Sequence, residues 1–138
     1  MNIVWKAEYC TGIEVIDTQH QHLVLLLNNY FADQPQQEVS PSVAWEMLKE
    51  FNGYADDHFA TEEHLAQQTH IDETGLWIIH KGSHDYYIKR LKEFQQDLEQ
   101  HTPRAVDKLM AFLSYWWVTH ISGEDQELAK ALKDALIA

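Results

Sequence analysis

His58-Phe59-Ala60-Thr61-Glu62 and, further along, His80-Lys81-Gly82-Ser83-His84 are the stretches on which the fold is read. Each is a pair of metal-capable side chains at i, i+4. On a helix that spacing puts both groups on one face, about 6 Å apart along the axis. The apolar pattern around each pair is helical. Ala44, Leu48, Phe51, Ala55, His58, Glu62 and Leu65 follow one another at alternating steps of four and three. Trp77, His80, His84, Tyr87, Leu91, Phe94 and Leu98 do the same. Both are unbroken seams of amphipathic helices. Glu62 stands on such a seam, where an unpaired carboxylate is costly to bury.

Working outward, the helix carrying His58 starts at Ser40-Pro41 or Ser42, with Pro41 suited to a first turn. Residues 67–75 form a connection, with Asp72 or Thr74 to cap the next helix. Before it, a helix from an Asp17 or Thr18 cap carries Ile16, His20, Leu23, Leu27 and Tyr30, with Val24 and Phe31 beside them. Asp33, Gln34 and Pro35 end it, and residues 33–41 form a polar loop. Residues 1–15 read as an irregular arm pinned by Trp5, Tyr9, Ile13 and Val15, with a turn at Thr11-Gly12. After the third helix, Thr102 and Pro103 open a fourth with Val106, Leu109, Met110, Leu113, Trp116, Trp117 and His120. Ser122-Gly123 breaks it. A short tail helix follows with Leu128, Leu132, Leu136 and Ile137.

Four long helices with short connections predict an all-α, up-down-up-down four-helix bundle with an N-terminal arm and a short C-terminal helix, one domain over 1–138. In that topology His20, His58, His80, His84 and His120 fall at the same end. A single inward histidine is commonly a satisfied core residue. Five of them with Glu62, at one level on four seams, present too many acceptors and too few donors for every ring to be satisfied. A metal satisfies all of them. With Asp125, seven ligands exceed what one tetrahedral zinc takes and suit two octahedral ions sharing carboxylates. Imidazole-rich N/O shells suit iron, copper, nickel or zinc, and carboxylate bridging favours iron or manganese. Cys10 is the only cysteine, so thiolate clusters are excluded.

Composition sets the class. The chain has 138 residues, 45% hydrophobic and 23% charged, with nine histidines and net charge −12. The acidity argues against nucleic acid and anionic membranes as partners. No run of apolar residues is long enough to span a bilayer, and the first residues lack the pattern of a signal peptide. A cytoplasmic protein, acting as a monomer, is expected. His22, His64, His70 and His101 read as surface or loop residues.

The series His20, His58-x3-Glu62, His80-x3-His84, His120-x4-Asp125 resembles the hemerythrin signature, over nearly the whole chain. The context Gly12-Ile13-Glu14-x-Ile16-Asp17-x-Gln19-His20 resembles the bacterial single-domain branch. So do Leu23 with Asn28, His58-Phe59-x-x-Glu62-Glu63 and His120-Ile121. The resemblance implies two irons that bind O2 reversibly, for storage, transport or delivery, without an enzymatic role. His80, His84 and His120 would complete one iron and His20 and His58 the other. Glu62 and Asp125 would bridge both, together with an oxo or hydroxo group. The iron with two histidines would keep a position for O2. Trp117, Trp116, Leu23 and Phe59 would line the O2 pocket.

Two departures stand out. The connection from Glu62 to His80 is longer than usual for the family, with Gly75 and no Tyr-Pro turn. The residue three before the last histidine is usually leucine, and here it is Trp117. It could narrow the pocket, offer its N–H to a bound ligand, or simply pack in the core. The competing functions are a di-iron enzyme or sensor handling peroxide or NO, and a histidine phosphotransfer bundle. The latter needs no inward histidine cluster.

Overall fold

The computed structural model describes residues 3–31 and 39–137. The expected helix end at Asp33 to Pro35, and most of the polar loop after it, lie outside these residues. Among the described residues there are helices and no strands. They are α1 (Glu14–Phe31), α2 (Pro41–Gln68), α3 (Gly75–Glu99), α4 (Ala105–Thr119) and α5 (Asp125–Ile137). The first four form the expected bundle, with α2 packed on both α1 and α3, and α3 on α4. None is long and apolar enough to cross a membrane.

Several boundaries depart from the sequence reading, each for a local reason. α1 begins at Glu14, a turn before the expected cap. Asp17 turns its carboxylate back instead of capping forward. Oδ1 accepts from the Thr11 backbone N–H and hydroxyl, both at 2.7 Å, and Oδ2 accepts from Gly12 N–H at 3.2 Å. That closes the Thr11-Gly12 turn, in which Gly12 adopts a φ of +83°, a conformation that favours glycine. The early start puts Val15 on the outer face, exposed rather than pinning the arm. Tyr9 and Ile13 pack against the core as expected, and the arm is held further at Ile3, whose N–H and C=O pair with the Asn28 amide at 2.8 Å each. A short 3-10 turn, Ala7–Tyr9, follows.

Ser40 caps α2 by accepting from Val43 N–H, with Pro41 in the first turn, as expected. α2 runs on to Gln68 and α3 starts at Gly75, so the two ends of the expected connection are helix. The remainder, residues 69–74, is a compact turn with a 3-10 segment Ile71–Glu73. Ile71 is buried, and Thr74 accepts from Trp77 N–H to cap α3. α4 starts at Ala105, later than Pro103. His101 (φ 55°) and Arg104 (φ 63°) are both left-handed and reverse the chain before a helix can begin.

Ser122-Gly123 does not break the chain. Residues His120–Glu124 form a π-turn that leads straight into α5. In α5, Leu128 and Leu132 are buried, but Leu136 is exposed. The side chain of Ile137 lies outside the description.

The core has two parts. The larger includes Leu23, Leu27, Leu48, Phe51, Tyr87, Leu91, Leu109, Leu113 and Trp117. The smaller comprises Ile16, Ala66, Ile71, Trp77, Leu128 and Leu132. On α1 and α3 the inward histidines fall between the two, as does Glu62 on α2. His20 lies between Ile16 and Leu23, Glu62 between Phe59 and Ala66, and His80 and His84 between Trp77 and Tyr87. Apolar layers on both sides seal the polar layer from water.

Candidate metal centre

His20, His58, Glu62, His80, His84, His120 and Asp125 are all buried and all converge. Helix register brings six of them there. Asp125 needs more, because residues five apart on an α-helix diverge by about 140°. The π-turn corrects this. Asp125 N–H bonds to His120 C=O, an i→i+5 closure that returns the fifth residue to the same face. The break that the sequence suggested at Gly123 is thus the device that aims Asp125 inward.

The side chains form two sets. Glu62, His80, His84, His120 and Asp125 offer ligand atoms within 4.8 Å of one another, as do His20, His58 and Asp125. Asp125 serves both. Its Oδ2 lies 2.6 Å from His20 Nε2 and 3.1 Å from His58 Nε2. Its Oδ1 lies 2.8 Å from His120 Nε2 and 3.3 Å from His80 Nε2. Glu62 Oε1 is 3.1 Å from His84 Nε2 and 3.3 Å from the Nε2 atoms of His58 and His80.

All five imidazoles turn Nε2 inward, and for two of them the outer nitrogen fixes the tautomer. The Thr61 hydroxyl donates to Asp57 C=O at 2.9 Å, so its oxygen accepts from the Gln19 amide N–H at 2.9 Å. Gln19 Oε1 then faces His58 Nδ1 at 2.7 Å. An amide oxygen only accepts, so His58 carries a proton on Nδ1. His120 Nδ1 faces a carboxylate oxygen, Glu124 Oε1, at 3.1 Å. Ser83 Oγ–H donates to the same oxygen at 2.8 Å.

Aromatic planes hold the rings. Phe59 stacks on His84 (centroids 3.7 Å apart), Trp116 on His120 (4.3 Å) and Trp77 on His80 (5.5 Å). Tyr54 stacks on His58 at 6.1 Å.

The donor set fits a cation. His84 Nε2 and His120 Nε2 face each other at 3.3 Å, and with His120 Nδ1 already protonated its Nε2 lone pair points into the cluster. Glu62 Oε2 and His20 Nδ1 are buried without a hydrogen-bond partner. Such a convergence of acceptors is stable only around positive charge. Protons supply it when metal does not. Burial pushes the His80 pKa down, but hydrogen bonds to Asp125 and Glu62 prevail and raise it to about 9. His120 is likewise raised, Asp125 outweighing burial. Burial keeps His84 below its ordinary value. Burial also pushes Glu62 and Asp125 up, yet the surrounding histidines hold both carboxyls low.

The family model described as the hemerythrin HHE cation binding domain matches residues 11–132. The chain belongs to the hemerythrin family. Among its relatives, the bacteriohemerythrin of Stenotrophomonas maltophilia is 32% identical over 133 residues, 95% of this chain and 82% of that protein. The bacteriohemerythrin of Pseudomonas aeruginosa is 30% identical over 135 residues, 98% of this chain and 84% of that protein. The hemerythrin-like protein of Naegleria gruberi is 26% identical over 123 residues, 89% and 87% of the two chains. Hemerythrin membership together with the His/Glu/Asp cluster supports iron binding.

Two features of this hemerythrin site bear on the sequence reading. Trp117 is fully buried, and its N–H donates to the Tyr87 hydroxyl at 3.0 Å. It is therefore committed to the core and not offered to a ligand, although the ring sits 6.0 Å from His58 and 5.9 Å from Phe59. Leu23, Phe59 and Trp116 are buried as expected. Sequence reasoning assigned no role to Gln19, Thr61, Ser83, Glu124 or Tyr54. Glu124 at i+4 from His120, and Tyr54 at i−4 from His58, carried the same spacing signal as the ligand pairs. His22, His64, His70 and His101 are exposed.

Proposed function

We propose that the chain binds O2 reversibly at a di-iron centre, as a storage or delivery protein. The carrying observation is the division of the donors into sets of three and two histidines that share Asp125. His80, His84 and His120 would hold one iron, and His20 and His58 the other, with Glu62 and Asp125 spanning both. Two irons so held would supply the electrons that O2 takes up on binding and returns on release. The unequal histidine count leaves the two-histidine half a ligand short, which is where O2 would be received. The chain's own part is to fix the rings by stacking, to hold His58 in one tautomer through Gln19, and to exclude water. Trp117, Trp116, Phe59 and Leu23 are proposed as the apolar wall of that pocket. The test is anaerobic iron loading followed by exposure to O2. Two irons per chain and a coloured adduct that bleaches under vacuum are expected. Irreversible oxidation with no adduct would sink the reading.

A second reading, turnover of peroxide or NO, is favoured by one observation. The Tyr54 hydroxyl is buried beside the centre with no partner. Burial, and then the charges of Asp125 and Glu62, keep it protonated, so it remains an O–H donor. Steady-state consumption of peroxide by the iron-loaded protein, abolished in Tyr54→Phe, would support this reading over simple O2 carriage.

A further inference from the structure

The two halves of the centre differ in more than histidine count. On one side, His58 Nδ1–H is received by a neutral amide oxygen, that of Gln19. On the other, His120 Nδ1–H meets a carboxylate, Glu124 Oε1, which Ser83 Oγ–H holds from α3. Glu124 has no place in the ligand sets. Its side chain is 38% exposed and reaches inward from the π-turn to the outer edge of a fully buried ring. The π-turn places Glu124 at i+4 and Asp125 at i+5 from His120, one behind the imidazole and one in front of it. The ring is further held by the Trp116 plane at 4.3 Å and 16°.

We propose that Glu124, braced by Ser83, is a positioning residue for His120 that makes the three-histidine half the tighter metal position. A carboxylate on Nδ1–H fixes the tautomer that presents the Nε2 lone pair, and it makes that lone pair more basic than an amide partner does. The effect is confined to the half that contains His120. The other half keeps the weaker polarisation from Gln19, so metal enters the centre in two unequal steps. This rests on the metal reading of the site but not on O2 chemistry.

Cobalt(II) titrated anaerobically into the metal-free chain is the test, followed by calorimetry and by the visible ligand-field bands. The parent is expected to bind in two resolved steps. Glu124→Gln keeps an acceptor on Nδ1 but removes the charge. It is expected to weaken the tighter step by roughly 10–100-fold, to shift the bands that grow in that step, and to leave the weaker step in place. Ser83→Ala should weaken the same step by less. A Glu124→Gln isotherm and spectrum that superimpose on the parent's overturn the proposal. So does equal weakening of both steps, which would mean that the Ser83–Glu124 bond only braces the fold. If the parent takes up no cobalt, both this proposal and the metal reading fall. If it takes up cobalt but its iron form ignores O2, only the O2 reading does.

Discussion

Trp117 and Tyr87 hold each other in the wall beside the centre, and the pair separates packing from ligand access. The buried indole N–H donates to the buried phenol oxygen at 3.0 Å. Tyr87→Phe leaves the indole N–H without an acceptor, which costs about 1–3 kcal/mol. Urea unfolding should show that loss with metal content unchanged. Trp117→Leu removes bulk 6.0 Å from His58 and is expected to speed ligand entry and autoxidation. Stopped-flow mixing with O2 checks it, and unchanged rates would mean that Trp117 only fills the core. Proton counting is a second residue-scale measurement. His80, raised to about 9, is protonated in the metal-free chain at neutral pH, whereas a metal ligand must be neutral. Iron(II) loading at pH 7.5 is therefore expected to release protons. Calorimetry in buffers of different ionisation enthalpy reads that number, and a value of zero would contradict the assignment. As pH falls toward the ordinary imidazole range, protons compete harder and affinity drops.

At the scale of elements, the helices are held by the ends that the sequence supplies and are loosened where it places glycine. Ser40 and Thr74 cap α2 and α3 through their hydroxyls. Gly53 and Gly82 sit inside those helices, exposed, with nothing within 4 Å of where a Cβ would stand. Gly53→Ala and Gly82→Ala should each stabilise the chain by about 0.5–1 kcal/mol. Gly12→Ala should destabilise it, because φ is +83° and Lys133 Nζ stands 3.3 Å from the new atom. Thermal unfolding of the three variants decides this; a gain at Gly12 or a loss at Gly82 would contradict it. The seams on α2 and α3 were legible because apolar period survives any loop geometry. The π-turn was not. Ser-Gly reads locally as a helix breaker, and only the demand to bury Asp125 beside His120 keeps the chain helical there.

Over the whole molecule, a layer of five histidines and two carboxylates lies between two apolar cores. Burying that layer without metal costs solvation that only protons and mutual contacts offset. A metal that binds the assembled layer more tightly than the unfolded chain stabilises the fold by mass action. Iron or cobalt should raise the thermal midpoint, and excess chelator should return it to the metal-free value. A midpoint indifferent to metal would mean that the layer is satisfied on its own.

The sequence by itself determined the four seams, the inward histidines with Glu62, and the end of the bundle where they gather. Helical period and alternating direction are local rules with one outcome. Tertiary structure alone decided the rest. It aimed Asp125 through the π-turn and turned Asp17 back onto the arm. It committed the Trp117 N–H to Tyr87, and it set a carboxylate behind His120 but an amide behind His58. Each of these depends on which polar atom on another element lies within hydrogen-bond reach, a distance that spacing along one chain does not encode.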